Sequence, residues 1–238
     1  MTNSYGPSIV RDGLVLYLDA GDRNSYPGTG NTWYDLSGNE YNNTLINNPS
    51  FNVSNKGNII FDGANDYSQI TSSPKLNGIT DVSASCWVNI TSAGSAGSPA
   101  GLFNRYFNTT GNNGWGILGP IDANNNVAFQ FTGRESSAAF FNNSTNYDYE
   151  LNTWHYVVGT KQGTSWKVYV DGNLKVNNTN GNGTTAFANN IIYFGGYPQF
   201  GAQYRSNFKI ALCGIYSRAL SSNEITQNYN ATKGRFVP

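Results

Sequence analysis

The chain has 238 residues, no net charge at neutral pH, 12% charged residues and 14% aromatic ones. With no basic field to attract polyanions, nucleic acid and membrane surfaces are not expected as partners. A 38% hydrophobic share supplies a core and argues against a disordered chain.

Asparagine is the commonest residue, at 36, and there are 27 glycines, a composition that favours turns over helices. No apolar run approaches the about 20 residues that a membrane helix needs, so no membrane insertion is expected. Residues 1–7 lack a basic stretch followed by an apolar one. The expectation is therefore synthesis in a cytoplasm without a signal peptide. Cys86 and Cys213 sit in apolar runs and read as reduced core thiols, although two positions alone do not define or exclude a disulfide.

In chain order, Leu14–Leu18 reads as a strand between Asp12-Gly13 and Asp19–Asp22. A long turn-rich segment follows, from Arg23 to Asn43. Loops this long are functional or tied down by their own side chains, and Trp33, Tyr34 and Leu36 are the candidate anchors. Short strands are expected at Thr44–Ile46, Asn58–Phe61 and Tyr67–Ile70, with a central one at Val82–Ile90. Gly101–Tyr106, Gly114–Leu118, Val127–Phe131 and Ala138–Phe141 are further short strands between Asn/Gly turns. Next comes the strongest local signal, a hairpin of Trp154–Thr160, Trp166–Val170 and Asn173–Val176. Its second connection is Asp171-Gly172, the dipeptide suited to a type I′ turn. Trp154, Tyr156, Val158 and Thr160 share one face of the first run, and Trp166, Val168 and Val170 share one of the next. Strands at Ile191–Gly196 and Phe208–Tyr216 complete the series. In the last, Phe208, Ile210, Leu212, Gly214 and Tyr216 are expected on one face, with Lys209, Ala211, Cys213 and Ile215 on the other. One helix is expected, Ser222–Ala231, opened by a capping box of Ser221 and Glu224.

Four motifs, in order along nearly the whole chain, resemble one family. They are Trp33-Tyr34-Asp35-Leu36-Ser37-Gly38-Asn39, Phe61-Asp62-Gly63-Ala64-Asn65-Asp66-Tyr67, the Trp154-His155-Tyr156-Val157 and Tyr169-Val170-Asp171-Gly172 hairpin, and Ile215-Tyr216-Ser217-Arg218-Ala219-Leu220-Ser221 with Glu224-Ile225. Together they resemble the laminin-G-like branch of the concanavalin-A-like lectin/glucanase superfamily. The resemblance implies an all-β fold, a jelly-roll sandwich of two antiparallel sheets with first and last strands adjacent, to which the capping box adds one short C-terminal helix. It implies a single domain over 1–238, its core about 12–232. Residues 13–67 particularly resemble segments of tailed-bacteriophage structural proteins.

Glucanases belong to this superfamily, but none of Glu40, Glu135, Glu150 or Glu224 falls in a strand motif that sets acidic groups on one face. His155, the one histidine, reads as an exposed strand residue with no nucleophile placed by a motif. No enzyme is expected. Some relatives bind calcium at the sandwich edge, which makes Asp19, Asp22, Asp62 and Asp66 the metal candidates, against the commoner use of such residues in capping their own turns. No cofactor other than calcium is suggested. Glycan contact needs exposed rings and amides on loops. Tyr106, Asn112 and Trp115 form one such stretch, and Tyr197, Tyr204 and Arg205 another. The same aromatics could instead anchor loops or meet a neighbouring subunit. Asn-x-Ser/Thr triplets, as at Asn89, Asn108 and Asn230, arise by chance at this composition.

The function expected is a non-enzymatic virion-surface protein (capsid decoration, fibre or tail-associated) that touches other virion proteins, its own copies or host-surface glycans. The alternative is a stand-alone lectin or adhesin, extracellular or on a cell surface.

Overall fold

Short runs of β-branched and aromatic residues, cut by Asn and Gly turns, leave the backbone little choice but extended strands that pair with non-adjacent partners. The computed structural model describes residues 8–92, 100–105, 114–134, 140–179, 187, 191–196 and 207–237. In chain order the strands are β1 (Leu14–Asp19), β2 (Thr32–Trp33), β3 (Asn43–Ile46), β4 (Ser50–Asn52), β5 (Asn58–Asp62), β6 (Tyr67–Ile70), β7 (Val82–Ser92), β8 (Ala100–Arg105) and β9 (Gly114–Gly119). There follow β10 (Asn126–Val127), β11 (Gln130–Arg134), β12 (Phe140–Ser144), β13 (Tyr149–Glu150), β14 (Trp154–Gln162), β15 (Ser165–Val170), β16 (Asn173–Asn178), β17 (Ile192–Phe194), β18 (Asn207–Tyr216) and the helix α1 (Ser222–Thr232).

Among the described residues these form two eight-stranded antiparallel sheets and a two-stranded ribbon of β10 and β13. The first runs β16-β15-β14-β7-β18-β5-β4, with β1 also on β18; the second runs β12-β11-β9-β8-β17-β6-β3-β2. The first and last strands are neighbours, as expected, with Tyr17 opposite Gly214 and Leu18 opposite Cys213. β5 takes the other half of the same flank, pairing with residues 207–210 of β18. The helix begins at Ser221, whose hydroxyl accepts from the Glu224 amide while Glu224 accepts from the Ser221 amide, completing the expected capping box.

Two apolar clusters hold the layers. Between the sheets lie Ile59, Phe61, Val88, Phe103, Trp115, Phe131, Val157, Trp166, Phe194 and Ile210, all fully buried. On the outer face of the first sheet, α1 and the residues after it cover Trp87, Tyr156, Val158 and Tyr169. Trp87 stacks on Phe236 at 4.3 Å and on Tyr229 at 5.8 Å, and its indole N–H donates to Thr232 Oγ1 at 2.7 Å. Asn228 of α1 accepts from the Val10 amide and donates to the Tyr216 hydroxyl, which donates to the Val10 carbonyl.

The hairpin keeps the shared faces that alternation predicts, but its two sets point opposite ways, and in β18 the alternation itself fails. Trp154, Tyr156 and Val158 look outward to α1, whereas Val157, with Trp166, Val168 and Val170, faces the second sheet. Both faces of this sheet are covered, so side-chain size does not identify the inner one. In β18 strict alternation fails because the register slips between Ile210 and Leu212. This bulge lets Phe208, Ile210, Cys213 and Ile215 all face inward, while Ala211, Leu212 and Tyr216 face out. The Asp171-Gly172 turn is as expected, with φ of 52° and 80°.

Candidate functional site

The motif residues are mostly consumed by structure. Asp35 Oδ1 accepts from the Tyr17 amide at 3.0 Å and from the Ser37 amide at 2.8 Å, and Asp35 Oδ2 accepts from the Tyr41 amide at 3.1 Å. Leu36 donates its amide to the Tyr17 carbonyl, and Ser37 Oγ and Asn39 Nδ2 both donate to the Val15 carbonyl. The loop thus caps the flank of β1 that none of the described strands covers, which protects it from foreign pairing. Trp33 is the buried anchor of this segment, while Tyr34 is 45% exposed.

The acidic turns are used in the same way. Asp19 accepts from the Gly21 amide and holds Arg235 through both oxygens at 2.7 and 2.9 Å. Asp22 accepts from the Asn24 amide. Asp62 Oδ1 accepts from the amides of Ala64, Asn65 and Asp66, and Asp66 Oδ2 accepts from the Asp62 amide. Among the described residues no group of three or more His, Cys, Asp or Glu side chains is arranged to hold a metal ion. Asp19 and Asp22 share one turn and Asp62 and Asp66 another, and each of the four accepts a backbone N–H. In the C-terminal motif, Arg218 meets Glu224 at 3.0 and 2.5 Å and Asp12 at 2.8 Å. The Arg218 hydrogen bonds hold the Glu224 carboxyl down at about 2.

Of the predicted glycan-contacting residues, Tyr106, Asn112, Tyr197, Tyr204 and Arg205 lie outside the described residues, as does Glu135. Trp115 is corrected. It is fully buried in β9, edge-on to Phe103 at 5.5 Å, so its ring belongs to the core and offers no face to a sugar. His155 is also corrected. Only 14% of its side chain is exposed, its Nδ1 lies 2.8 Å from Asp171 Oδ2, and Phe129 and Tyr149 meet its ring at 5.6 and 5.0 Å. Asp171 uses its other oxygen on the Tyr156 amide at 2.9 Å. The pair therefore fastens the hairpin turn. Burial, with the Asp171 and Asp148 charges, pushes the Tyr149 hydroxyl up to about 12.

A surface cleft of about 330 Å³ opens at the edge of the second sheet, lined by Gly30, Asn31, Leu45, Asn48 and Pro49. Its walls are local. The Tyr26 hydroxyl donates to the Gly30 carbonyl at 2.8 Å, and Leu45 donates its amide to the Asn31 carbonyl at 2.8 Å. Asn47 and Asn48 turn the chain with φ of 63° and 74°, a region asparagine tolerates, and Asn47 Nδ2 ties the turn to the Asn65 carbonyl. The sequence signals for it are the Gly28-Thr29-Gly30-Asn31 turn and the Asn47-Asn48-Pro49 run, neither of which belongs to a family motif.

Similarity to known proteins agrees with this architecture. No curated protein matches the chain. Among solved structures it is similar to the binding domain of Paraclostridial Mosquitocidal Protein 1, at 18% identity and a TM-score of 0.69, covering 93% of this chain and 52% of that one. It is similar also to the binding domain of botulinum neurotoxin DC in complex with SialylT, at 18% identity and 0.70, covering 93% and 52%. A third is the ligand binding domain of botulinum neurotoxin serotype D in complex with N-acetylneuraminic acid, at 17% and 0.69, covering 92% and 51%. The chain spans about half the length of each, and at these identities the likeness is one of fold. The sequence of residues 62–226, more than half of the chain, matches a family outright. The chain belongs to the concanavalin A-like lectin/glucanases superfamily.

Proposed function

We propose that this chain is a non-enzymatic, glycan-binding adhesion module. The observation that carries the reading is the division of labour among its polar side chains. The motif carboxylates Asp35, Asp62, Asp171 and Glu224, and Asp19 beside them, are engaged in caps and ion pairs, while amide-lined turns stand open at the sandwich edge. Of the other described glutamates, Glu40 lies in a left-handed turn and Glu150 in the two-residue β13. The ligands of the similar toxin domains, SialylT and N-acetylneuraminic acid, support a sugar-binding role for this fold. Binding on this reading needs no calcium. A glycan array probed with the folded chain, with and without a chelator, tests it. Retention of defined glycans in both conditions is expected, with no release of reducing sugar. A folded chain that retains no glycan, or that releases reducing sugar, overturns it.

We read the module as part of a virion surface, in a capsid decoration, fibre or tail-associated protein that contacts other virion proteins or its own copies and reaches host glycans. The support is the motif resemblance of residues 13–67 to tailed-bacteriophage structural proteins. Antibody raised against the chain should label intact particles in electron micrographs. Label confined to cell surfaces would favour a stand-alone adhesin.

A further inference from the structure

Nine asparagines lie between positions 31 and 58, and seven of them use their side chains inside the protein. Asn39 bonds the Val15 carbonyl, Asn43 the Ser68 hydroxyl, Asn55 the Arg235 carbonyl and Asn58 the Ser54 carbonyl. The remaining two, Asn31 and Asn48, are exposed, and among the described residues their side chains have no hydrogen-bond partner. Both line the same cleft.

We propose that this cleft between the turn before β2 and the turn after β3 binds one uncharged pyranose ring, with Asn31 and Asn48 as its polar clamps. The inference rests on the lectin reading above and gives it a location and a ligand class. Each amide offers both donors and an acceptor, the combination that adjacent sugar hydroxyls require. Leu45 and Pro49, the apolar members of the lining, give the cleft the apolar surface that a ring's C–H face needs. The volume of about 330 Å³ lies at the low end of the ~300–1,000 Å³ range of small-ligand sites, which suits one ring rather than a long chain. None of the lining residues carries a charge. A carboxylate, sulfate or phosphate would therefore lose its hydration with no cation among these lining residues to meet it. The preferred sugar is neutral, in contrast to the N-acetylneuraminic acid held by one of the similar toxin domains.

The test is ligand-observed NMR with methyl glycosides of glucose, galactose, mannose and N-acetylglucosamine, and separately with N-acetylneuraminic acid. The variants are Asn31→Ala and Asn48→Gly, the second because glycine keeps the left-handed backbone without strain. Unchanged melting temperatures establish that the variants are folded. At least one neutral glycoside should bind, each single variant should weaken it about fivefold, the loss of one neutral hydrogen bond, and the double variant should weaken it further. A glycan-positive protein whose neutral-sugar binding is untouched by the double variant overturns the cleft and leaves the lectin reading standing. Binding of N-acetylneuraminic acid alone also overturns the cleft. A wild-type chain that binds no sugar here or on the array overturns both.

Discussion

The ring of Phe131 in β11 fills the space that a side chain on Gly159 of β14 would need. A Cβ built on Gly159 would come within 2.7 Å of Phe131 Cε2 and closer still to Cγ and Cδ2. The reciprocal holds nearby, where a Cβ on Gly133 would stand 2.9 Å from Trp166 Cζ3. Phe131 and Trp166 themselves lie 5.1 Å apart, so each sheet sends one large ring into a glycine gap of the other. Gly159→Ala and Gly133→Ala should each destabilise the protein by about 1–3 kcal/mol, because a rigid ring rather than a flexible tip must move. Urea midpoints measure this, and Phe131→Leu should partly rescue Gly159→Ala in a double-mutant cycle. A neutral or stabilising Gly159→Ala, as for an unpacked glycine, would contradict the interlock.

Asp35 should be the residue on which the loop between β2 and β3 depends. It accepts from three backbone amides and from the Ser37 hydroxyl. Asp35→Ala should cost about 1.5–3 kcal/mol, the value of hydrogen bonds to a charged group. The cost should be localised. Hydrogen exchange at the Tyr17 and Leu36 amides should accelerate while that in β7 and β14 tracks only the global loss. Concentration-dependent self-association should also rise as the flank of β1 opens.

These two sites show what the sequence discloses and what it withholds. The Asp171-Gly172 turn, the Ser221 capping box and the pairing of first with last strand follow from local chemistry or from motif resemblance, and the structure has them. The facing of Tyr156 and Trp166 does not follow. Alternation identifies two faces, but both here are apolar, one against the second sheet and one against α1. The bulge at Ile210–Leu212 is likewise invisible, since it is fixed by where β5 and β1 meet β18. Trp115 looked like a sugar platform because Asn/Gly turns flank it, yet the burial of its β9 neighbours decides its role. The cleft at Asn31 and Asn48 joins residues 17 positions apart through one strand pairing, so neither run announces it alone.

The Arg218–Glu224 pair makes part of the stability pH-dependent. Arg218, with the Ser221 amide and hydroxyl, holds the folded Glu224 carboxyl at about 2, below the about 4.3 of an unperturbed glutamate. The unfolded chain therefore binds a proton that the folded one refuses. The contribution is complete above about pH 4.3 and is lost as pH falls through about 2. Glu224→Gln should lower stability at pH 7 by about 1 kcal/mol, a cap and a partly solvated ion pair together. Melting curves at pH 7 and pH 2 test this: the gap between wild type and variant should narrow markedly at the lower pH. A gap that is constant with pH would mean that the carboxylate charge contributes nothing.

Cys86 of β7 and Cys213 of β18 stand directly opposite each other, both free and fully buried where the longest strands of the first sheet meet. Burial pushes both thiols up, and for Cys213 the neighbouring Cys86 adds to the effect. The thiolate is the reactive form, so neither residue should react while the strands are closed. Alkylation by N-ethylmaleimide at pH 8, followed by mass spectrometry, should modify both together in denaturant. In native buffer it should run slower by on the order of 10³-fold or more, as expected if labelling waits for opening of the sheet. A core substitution such as Phe131→Leu should then raise the native labelling rate of both thiols in step with its loss of stability. Rapid labelling of one thiol in the intact protein would show that β7 and β18 part locally, and that the centre of this sheet is not its most protected region.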